Sequence, residues 1–421
     1  MPTPLDLAYT VAAAGSAPWW RRKARGGWPE RFGRVAPGAV PPKGDRPRVL
    51  LHGVSVGEVA ALRTLVPLLL EDHEVVVAAT TDTGIARARE LYADRCPVVR
   101  YPLDASWAVR RFLDAVRPDA VALTELELWP QFVAACSTRS IPVCVINGRL
   151  SARSFRGYRR ARPLLRRTFA RLSAVGAQDE TIAQRFREMG APDVRVTGSM
   201  KWDNAAAPPT DADRALAHHI AESMGIDRGR PLIVAGSTGP GEEALLRAAI
   251  EPIENARLLC APRRPERFDE AAAALPNCVR RSAPRFATGH RWLLLDALGE
   301  LRAAYLLADL VVVGRTFAPM GGSDPAEPAG LGRAAVVGPS VENFSSVVAA
   351  LDDAGGLVRT TRERLHDTIA SLLSEAPRRQ AVAEAAAACV DAQRGASRRH
   401  AEMLRELLTA TGRDSARDRI A

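Results

Sequence analysis

The chain has little of what would mark a metal or disulfide protein. Its six cysteines, at positions 96, 136, 144, 260, 278 and 389, form no C-x-x-C pair, and no histidine stands beside them at ligand spacing. That pattern excludes a zinc ribbon and argues against a disulfide framework; reduced, mostly buried thiols of a cytosolic protein are expected. His218 and His219 are adjacent, so they cannot share a helix face and read as surface residues, while His52 fits a core histidine at a strand end better than a ligand. No apolar run reaches the roughly 18 to 20 residues that span a bilayer. A secretory signal would put positive charge before its apolar stretch, whereas here LDLAYTVAAAGSAPWWRRKARGGW puts it after. Aromatics followed by cations suit a membrane interface on the cytoplasmic side, with an ordinary packed helix as the alternative.

Acidic residues are missing where they would be most expected. RLSARSFRGYRRARPLLRRTFARL carries nine arginines between Arg149 and Arg171 and no Asp or Glu. A solvated helix face usually carries both signs of charge. With Leu164, Leu165, Phe169 and Leu172 as a possible apolar side, this stretch suits an anionic lipid or phosphorylated glycolipid, Arg149, Arg153, Arg156, Arg159 and Arg160 being the candidate contacts. No nucleic-acid recognition module is visible, so nucleic acid is not expected as a partner. The overall charge of +10 favours anionic partners of some kind.

What the sequence does contain is a globular composition, 47 % hydrophobic and 25 % charged over 421 residues, enough for two or three domains with a sizeable core. Strand-like runs (VLL at 49, EVVVAAT at 74, CPVVRYPL at 96, AVALTE at 120, PVCVIN at 142, AVGA at 174, VRVTG at 194) alternate with amphipathic segments. A second series follows: PLIVAGS at 231, RLLCAP at 257, RWLLLD at 291, DLVVVG at 309 and AAVVGP at 334. Repeated βα units predict α/β architecture with two parallel, doubly wound, Rossmann-like sheets. The series start alike: HGVSVGEVAALRTL is echoed by AGSTGPGEEALLRAA, each a strand, a Ser/Gly turn and a helix with an acidic first turn. The expected division is 1–34 membrane-proximal, 35–205 first domain, 206–230 a polar connection with one helix, 231–375 second domain, and 376–421 C-terminal helices and tail.

Candidate chemistry lies after the strands. Glu58 opens a helix behind a Gly-rich turn, where the helix dipole stabilises an anion. It could serve as a base, but Ser55 and Glu58 also fit the S-x-x-E capping box. Glu125 and Glu127 end a predicted strand, and side-chain alternation puts them on one side; at least one should lie in a cleft or be hydrogen-bonded. The turn of Gly236, Ser237, Gly239 and Gly241 could cradle a phosphate at a helix N-terminus or be simply a tight turn; it has neither P-loop nor G-x-G-x-x-G spacing. Arg263 and Arg264 could hold a phosphate or carboxylate, or form a solvated basic turn. Gly321 and Gly322 permit close backbone approach, and Glu327 could accept two hydrogen bonds from a ribose diol.

In order along the chain, GWPERFG at 27, SVGE at 55, PLD at 102, ELELWP at 125, NGRLSARS at 147, VTGSMKWD at 196, AGSTGPGEE at 235, PRRPERF at 262, GGSDPAEPA at 321 and GPSVENF at 338 resemble the transferases of 3-deoxy-D-manno-octulosonic acid (Kdo). The resemblance implies a GT-B fold with the active site in the cleft between two Rossmann-like domains. It implies CMP-Kdo as donor, an anionic lipid A precursor (lipid IVA) as acceptor, and no metal or other cofactor. It also implies a protein peripheral to or N-terminally anchored in the cytoplasmic membrane and acting at its cytoplasmic face, with inverting chemistry in lipopolysaccharide core biosynthesis. Glu58 matches the family's general base and Glu125 its second carboxylate; Ser237, Arg263, Arg264, Gly321, Gly322, Glu327 and Asn343 fall in the donor-side motifs. The chain departs from the family pattern on that side. Gly239 and Arg264 replace histidines, Ser323 and Asp324 replace a His-Asn pair, and Arg315 replaces a glycine. These departures leave open a related transferase that uses a different acidic sugar nucleotide, or a weakly active copy.

Overall fold

The structure, a computed structural model, describes residue 6 and residues 26–227, 229–283 and 289–417. The apolar segment with Trp19 and Trp20 and the arginines after it lie outside the described residues. The chain forms two compact units, the first comprising residues up to Met200 and those from Gly395 on, the second Lys201–Arg394.

In the first unit the parallel sheet has the order β3-β2-β1-β4-β5-β6-β7. The strands are β1 Arg48–Gly53, β2 Glu74–Ala79, β3 Val98–Arg100, β4 Ala120–Thr124, β5 Val143–Gly148, β6 Ala174–Ala177 and β7 Val194–Val196. Alternation along β1 and β2 sends Leu50, Val76 and Ala78 to one face and Val49, Leu51, Val75 and Val77 to the other. Each face is covered by helices, so the central strands are buried on both sides and read as nearly continuous apolar runs.

The second unit repeats the plan, with the order β10-β11-β9-β8-β12-β13-β14. Its strands are β8 Leu232–Thr238, β9 Arg257–Pro262, β10 Val279–Arg280, β11 Trp292–Leu294, β12 Leu310–Val313, β13 Ala335–Val337 and β14 Val358–Arg359. One detail shows how closely the plans agree. At the foot of the first sheet, Asp119 accepts from the Arg48 N–H (2.7 Å) and donates its own N–H to the Arg48 carbonyl (2.7 Å). At the foot of the second, Asp309 does the same with Leu232 (2.8 and 2.9 Å).

Both sheets reverse direction beside their first strand: between β1 and β4 in one, between β8 and β12 in the other. In open α/β sheets ligands bind beyond the carboxyl ends of the strands at this switch point.

The unit boundaries differ from those expected from sequence. The polar stretch 206–230 carries the helix Asp211–Ser223, whose Ala217 and Ile220, with Met224, belong to the core of the second unit. The C-terminal helices divide. Ala376–Ala392 contributes Ala386 and Val390 to the second unit. After Gly395 (φ 102°) the helix Ala396–Arg417 packs Ala396, Ala401, Met403 and Leu404 into the first. His400 on that helix is fully buried and accepts from the Asn147 N–H (3.0 Å). Burial, with the Arg399 charge, pushes its pKa down to about 3, so it is neutral. Gly176 leaves the room it needs, since a Cβ there would stand 2.4 Å from the His400 ring.

Candidate active site

In the first unit, the loops after β1 and β4 bring three carboxylates to the switch point. Glu58 lies in the first turn of the helix Val56–Ala61, half-buried. The Ser55 hydroxyl accepts from the Glu58 N–H (3.4 Å) and donates to Glu58 Oε1 (2.8 Å), while the Val54 N–H donates to Oε2 (2.9 Å). The cap is therefore present, with the carboxylate turned back one residue further than a standard capping box, onto Val54 rather than the Ser55 N–H. Each carboxylate oxygen keeps a second lone pair, so capping does not exhaust its capacity to accept a proton.

β4 stops at Thr124, and Glu125 takes a left-handed backbone (φ 60°). Strand alternation therefore does not govern how Glu125 and Glu127 point. The Glu125 backbone is held by its N–H on the Ile146 carbonyl (2.9 Å). Glu127 is the most perturbed carboxyl here: burial first, then the charge of Glu58 and more weakly of Glu125, push its pKa up to about 7 against a hydrogen bond from Trp129. Its charge also helps burial to raise the Tyr158 pKa, which ties the cluster to the basic helix Ala152–Arg160. Beneath lies an aromatic floor. His52 stacks on Tyr101 at 3.7 Å between ring centroids, and the buried Tyr101 hydroxyl finds no partner among the described residues. Burial lowers the His52 pKa to about 3, as a core histidine requires. Glu127 was visible in the sequence, but nothing there separated it from Glu125; its burial is set by residues distant in sequence.

On the basic helix, Phe155 and Tyr158 pack toward the core, while Arg153, Arg156, Arg159 and Arg160, like Arg149 before it, are exposed. None of the five makes an ion pair among the described residues. Phe169 and Leu172 are buried and Leu165 partly so, but Leu164 stands 84 % exposed, so the expected apolar side is not continuous.

In the second unit the loops after β8 and β12 meet at the other switch point. Ser237 has φ 58° and Arg315 φ 62°, both left-handed. A Cβ on Gly314 would come within 2.6 Å of the Ser237 carbonyl. The expected phosphate cradle is altered by two buried carboxylates. Glu242 Oε2 accepts from the Gly239 N–H (2.8 Å) and the Arg315 N–H (2.6 Å), and Oε1 from the Phe317 N–H (2.9 Å). Glu243 accepts from the Thr238 hydroxyl (2.6 Å) and pairs with Arg267 (2.9 Å). The Gly239 N–H is thus already spent, and Pro240 has none to offer. Sequence flagged the acidic first turn but not that both side chains fold inward.

Arg263 and Arg264 are exposed, and neither is ion-paired among the described residues, in contrast to Arg267. Glu327, in the short helix Ala326–Gly330, lies 3.6 Å from Arg302. Burial, then the charges of Glu327 and Asp324, raise the Tyr305 pKa, while Arg263 lowers it, which brings these donor-side groups together around one phenol. Burial also raises the Asp324 pKa, opposed by Lys201. Gly321 and Gly322 are left-handed (φ 76° and 79°), and a Cβ on Gly321 would stand 2.2 Å from Asn343 Nδ2. Asn343 ties this loop down, its N–H on the Gly321 carbonyl (3.0 Å) and its amide on the Met320 carbonyl (3.3 Å).

Two Rossmann-like units with candidate side chains gathered at their switch points place the chain in the GT-B fold class. The fold also matches UDP-GlcNAc 2-epimerase from Neisseria meningitidis, solved bound to UDP-GlcNAc, with a TM-score of 0.60 at 13 % identity over 85 % of this chain and all of that one. A family model described as 3-deoxy-D-manno-octulosonic-acid transferase (kdotransferase) matches residues 26–204. The chain is 36 % identical to the 3-deoxy-D-manno-octulosonic acid transferase of Bordetella pertussis, over 95 % of this chain and 99 % of the relative. It is 28 % identical to that of Haemophilus influenzae, over 96 % of each. The chain belongs to the Kdo transferase family and is a glycosyltransferase.

Proposed function

We propose that the protein transfers Kdo from CMP-Kdo to an anionic lipid A precursor, lipid IVA, with inversion, at the cytoplasmic face of the inner membrane. The observation that carries the reading is the position of Glu58, held by two hydrogen bonds at the switch point of the first sheet among other carboxylates. In this reading Glu58 takes the proton of an acceptor hydroxyl as its oxygen attacks the anomeric carbon, and the bond to CMP breaks with its electron pair on the phosphate oxygen. Glu125 is the second carboxylate. CMP is a good leaving group that needs positive charge rather than an acid, and Arg263 and Arg264 supply it without a resident metal. Ser237, Gly321, Gly322, Glu327 and Asn343 shape the donor site. Arg149, Arg153, Arg156, Arg159 and Arg160 meet the phosphates of the acceptor and the anionic membrane around it. Family membership supports the sugar and its donor.

The test is CMP release from CMP-Kdo by the purified chain with lipid IVA, and its loss in Glu58→Gln. Near-normal turnover by that variant would exclude the base. A second reading, a different acidic sugar on the same nucleotide or another, is favoured by Asp324, an added carboxylate beside an anionic donor. Thermal stabilisation by UDP-sugars but not by CMP compounds would select it.

A further inference from the structure

The charge available to a phosphate at the second switch point is less than a Gly-rich turn at a helix start suggests. Part of that turn is already committed. The Gly239 N–H is committed to Glu242, and Glu242 and Glu243 place two buried carboxylates in the helix's first turn. Side chains therefore carry a larger share of any phosphate recognition at this turn. One guanidinium is built into the rim of the switch point itself. Arg315 follows β12 by two residues, and β12 pairs directly with β8. Its backbone is held in the left-handed region by its N–H on Glu242 (2.6 Å) and its carbonyl on the Gly322 N–H (3.0 Å). Its side chain lies over Gly239, with Cγ 3.2 Å from where a Cβ on that glycine would stand. One guanidinium nitrogen, Nη2, donates to the Met320 carbonyl (3.0 Å). Its other N–H donors are not committed, and no carboxylate lies within ion-pair distance among the described residues. A non-glycine residue in a strained backbone region, fixed there from several directions, is where function is to be sought.

We infer that Arg315 is a donor-binding residue whose guanidinium contacts the phosphate of the CMP moiety, taking over at the β8–β12 switch point the role that the committed backbone N–H groups cannot fill. Resting on the CMP-donor reading above, it adds a cation to Arg263 and Arg264 from the opposite side of β8. Asp324 and Glu327 are the carboxylates of the same region, and Lys201 faces Asp324.

Arg315→Gly is the informative variant, because glycine accepts the left-handed backbone. The expected result is a folded full-length protein, melting no lower than wild type, whose affinity for CMP in calorimetry falls at least ten-fold. Arg315→Lys should fall in between, because an ammonium cannot reproduce the guanidinium fork, and it serves as the second variant should the glycine protein not fold. An effect on CMP-Kdo with none on CMP would move the contact to the sugar carboxylate and overturn the phosphate assignment. CMP affinity within two-fold of wild type, with CMP-Kdo kinetics unchanged, would overturn the role of Arg315 while leaving the donor reading intact. A wild-type protein that binds neither CMP nor CMP-Kdo would overturn both.

Discussion

The starts of the two sheets look alike in sequence and are used in opposite ways. Each has a strand, a Ser/Gly turn and a glutamate in the first helical turn. In the first unit that glutamate, Glu58, folds back onto its own turn, stays half-buried and shares its surroundings with other carboxylates. In the second, Glu242 is fully buried and reaches across to the neighbouring loop, holding Gly239, Arg315 and Phe317 at once. In the function proposed above, one position supplies chemistry and the other architecture. The half-buried carboxylate adds to the acidic cluster at its unit's switch point; the pair that goes inside leaves Arg263, Arg264 and Arg315 exposed or half-exposed at the second. The proposed division of labour between a deprotonating site and an anion-binding site would follow from which way one side chain turns.

The largest effect expected from breaking that comparison is on turnover. Glu58→Gln keeps one acceptor oxygen, for the Val54 N–H, and its amide can donate to the Ser55 hydroxyl, so most of the cap survives while the base does not. The rate should fall by about 10²- to 10⁴-fold with little change in melting temperature. Ser55→Ala should do the reverse, costing about 1 kcal/mol of stability and only part of the activity. If the two variants lose activity equally, Glu58 acts through the cap alone.

Glu242→Ala should be chiefly a stability mutant. It leaves three backbone N–H groups without their acceptor, each worth about 1–3 kcal/mol when buried and unpaired, so a total loss of several kcal/mol is expected in urea melts. If Glu242→Ala melts like wild type but fails to bind CMP, the architectural role is wrong. Smaller again is the Arg263→Ala, Arg264→Ala pair. Loss of charge-assisted hydrogen bonds of about 1.5–3 kcal/mol should weaken CMP binding by roughly ten- to a hundred-fold, with the fold untouched because neither guanidinium holds another element.

Much of the fold was open to sequence reasoning, because buried parallel strands write themselves as apolar runs. Every strand of the first sheet is at its expected place. Only β10 and β14 were missed, and at two residues each they are too short to carry a pattern. The return of the C-terminal helix to the first unit was hidden, since nothing in the sequences of the helices on either side of Gly395 says which sheet each one covers. The site was legible as residues but not as roles. Glu58 and the arginines stand in motifs, yet whether the Gly239 N–H is free depends on how a side chain three residues later turns. The perturbation of Glu127 depends on burial and on the charge of Glu58, far earlier in the chain, and is opposed by Trp129.

That last residue offers the finest test of the comparison. With its pKa near 7 in the folded protein and its ordinary value at 4.5, Glu127 is protonated in both states below pH 4.5. Between 4.5 and 7 the folded protein holds a proton that the unfolded chain has lost, so this group makes stability fall as pH rises; above 7 the penalty is complete. Glu127→Gln, neutral throughout, should melt with wild type at pH 4, pull ahead between pH 4.5 and 7, and keep a constant lead beyond. Because Glu58 supplies part of the shift, Glu58→Gln should narrow the window from its upper end, lowering the Glu127 midpoint toward its ordinary value. No such narrowing is expected from Glu242→Gln, whose carboxylate belongs to the other sheet. If Glu58→Gln leaves the midpoint where it was, burial and Glu125 set it and Glu58 and Glu127 do not form a coupled site.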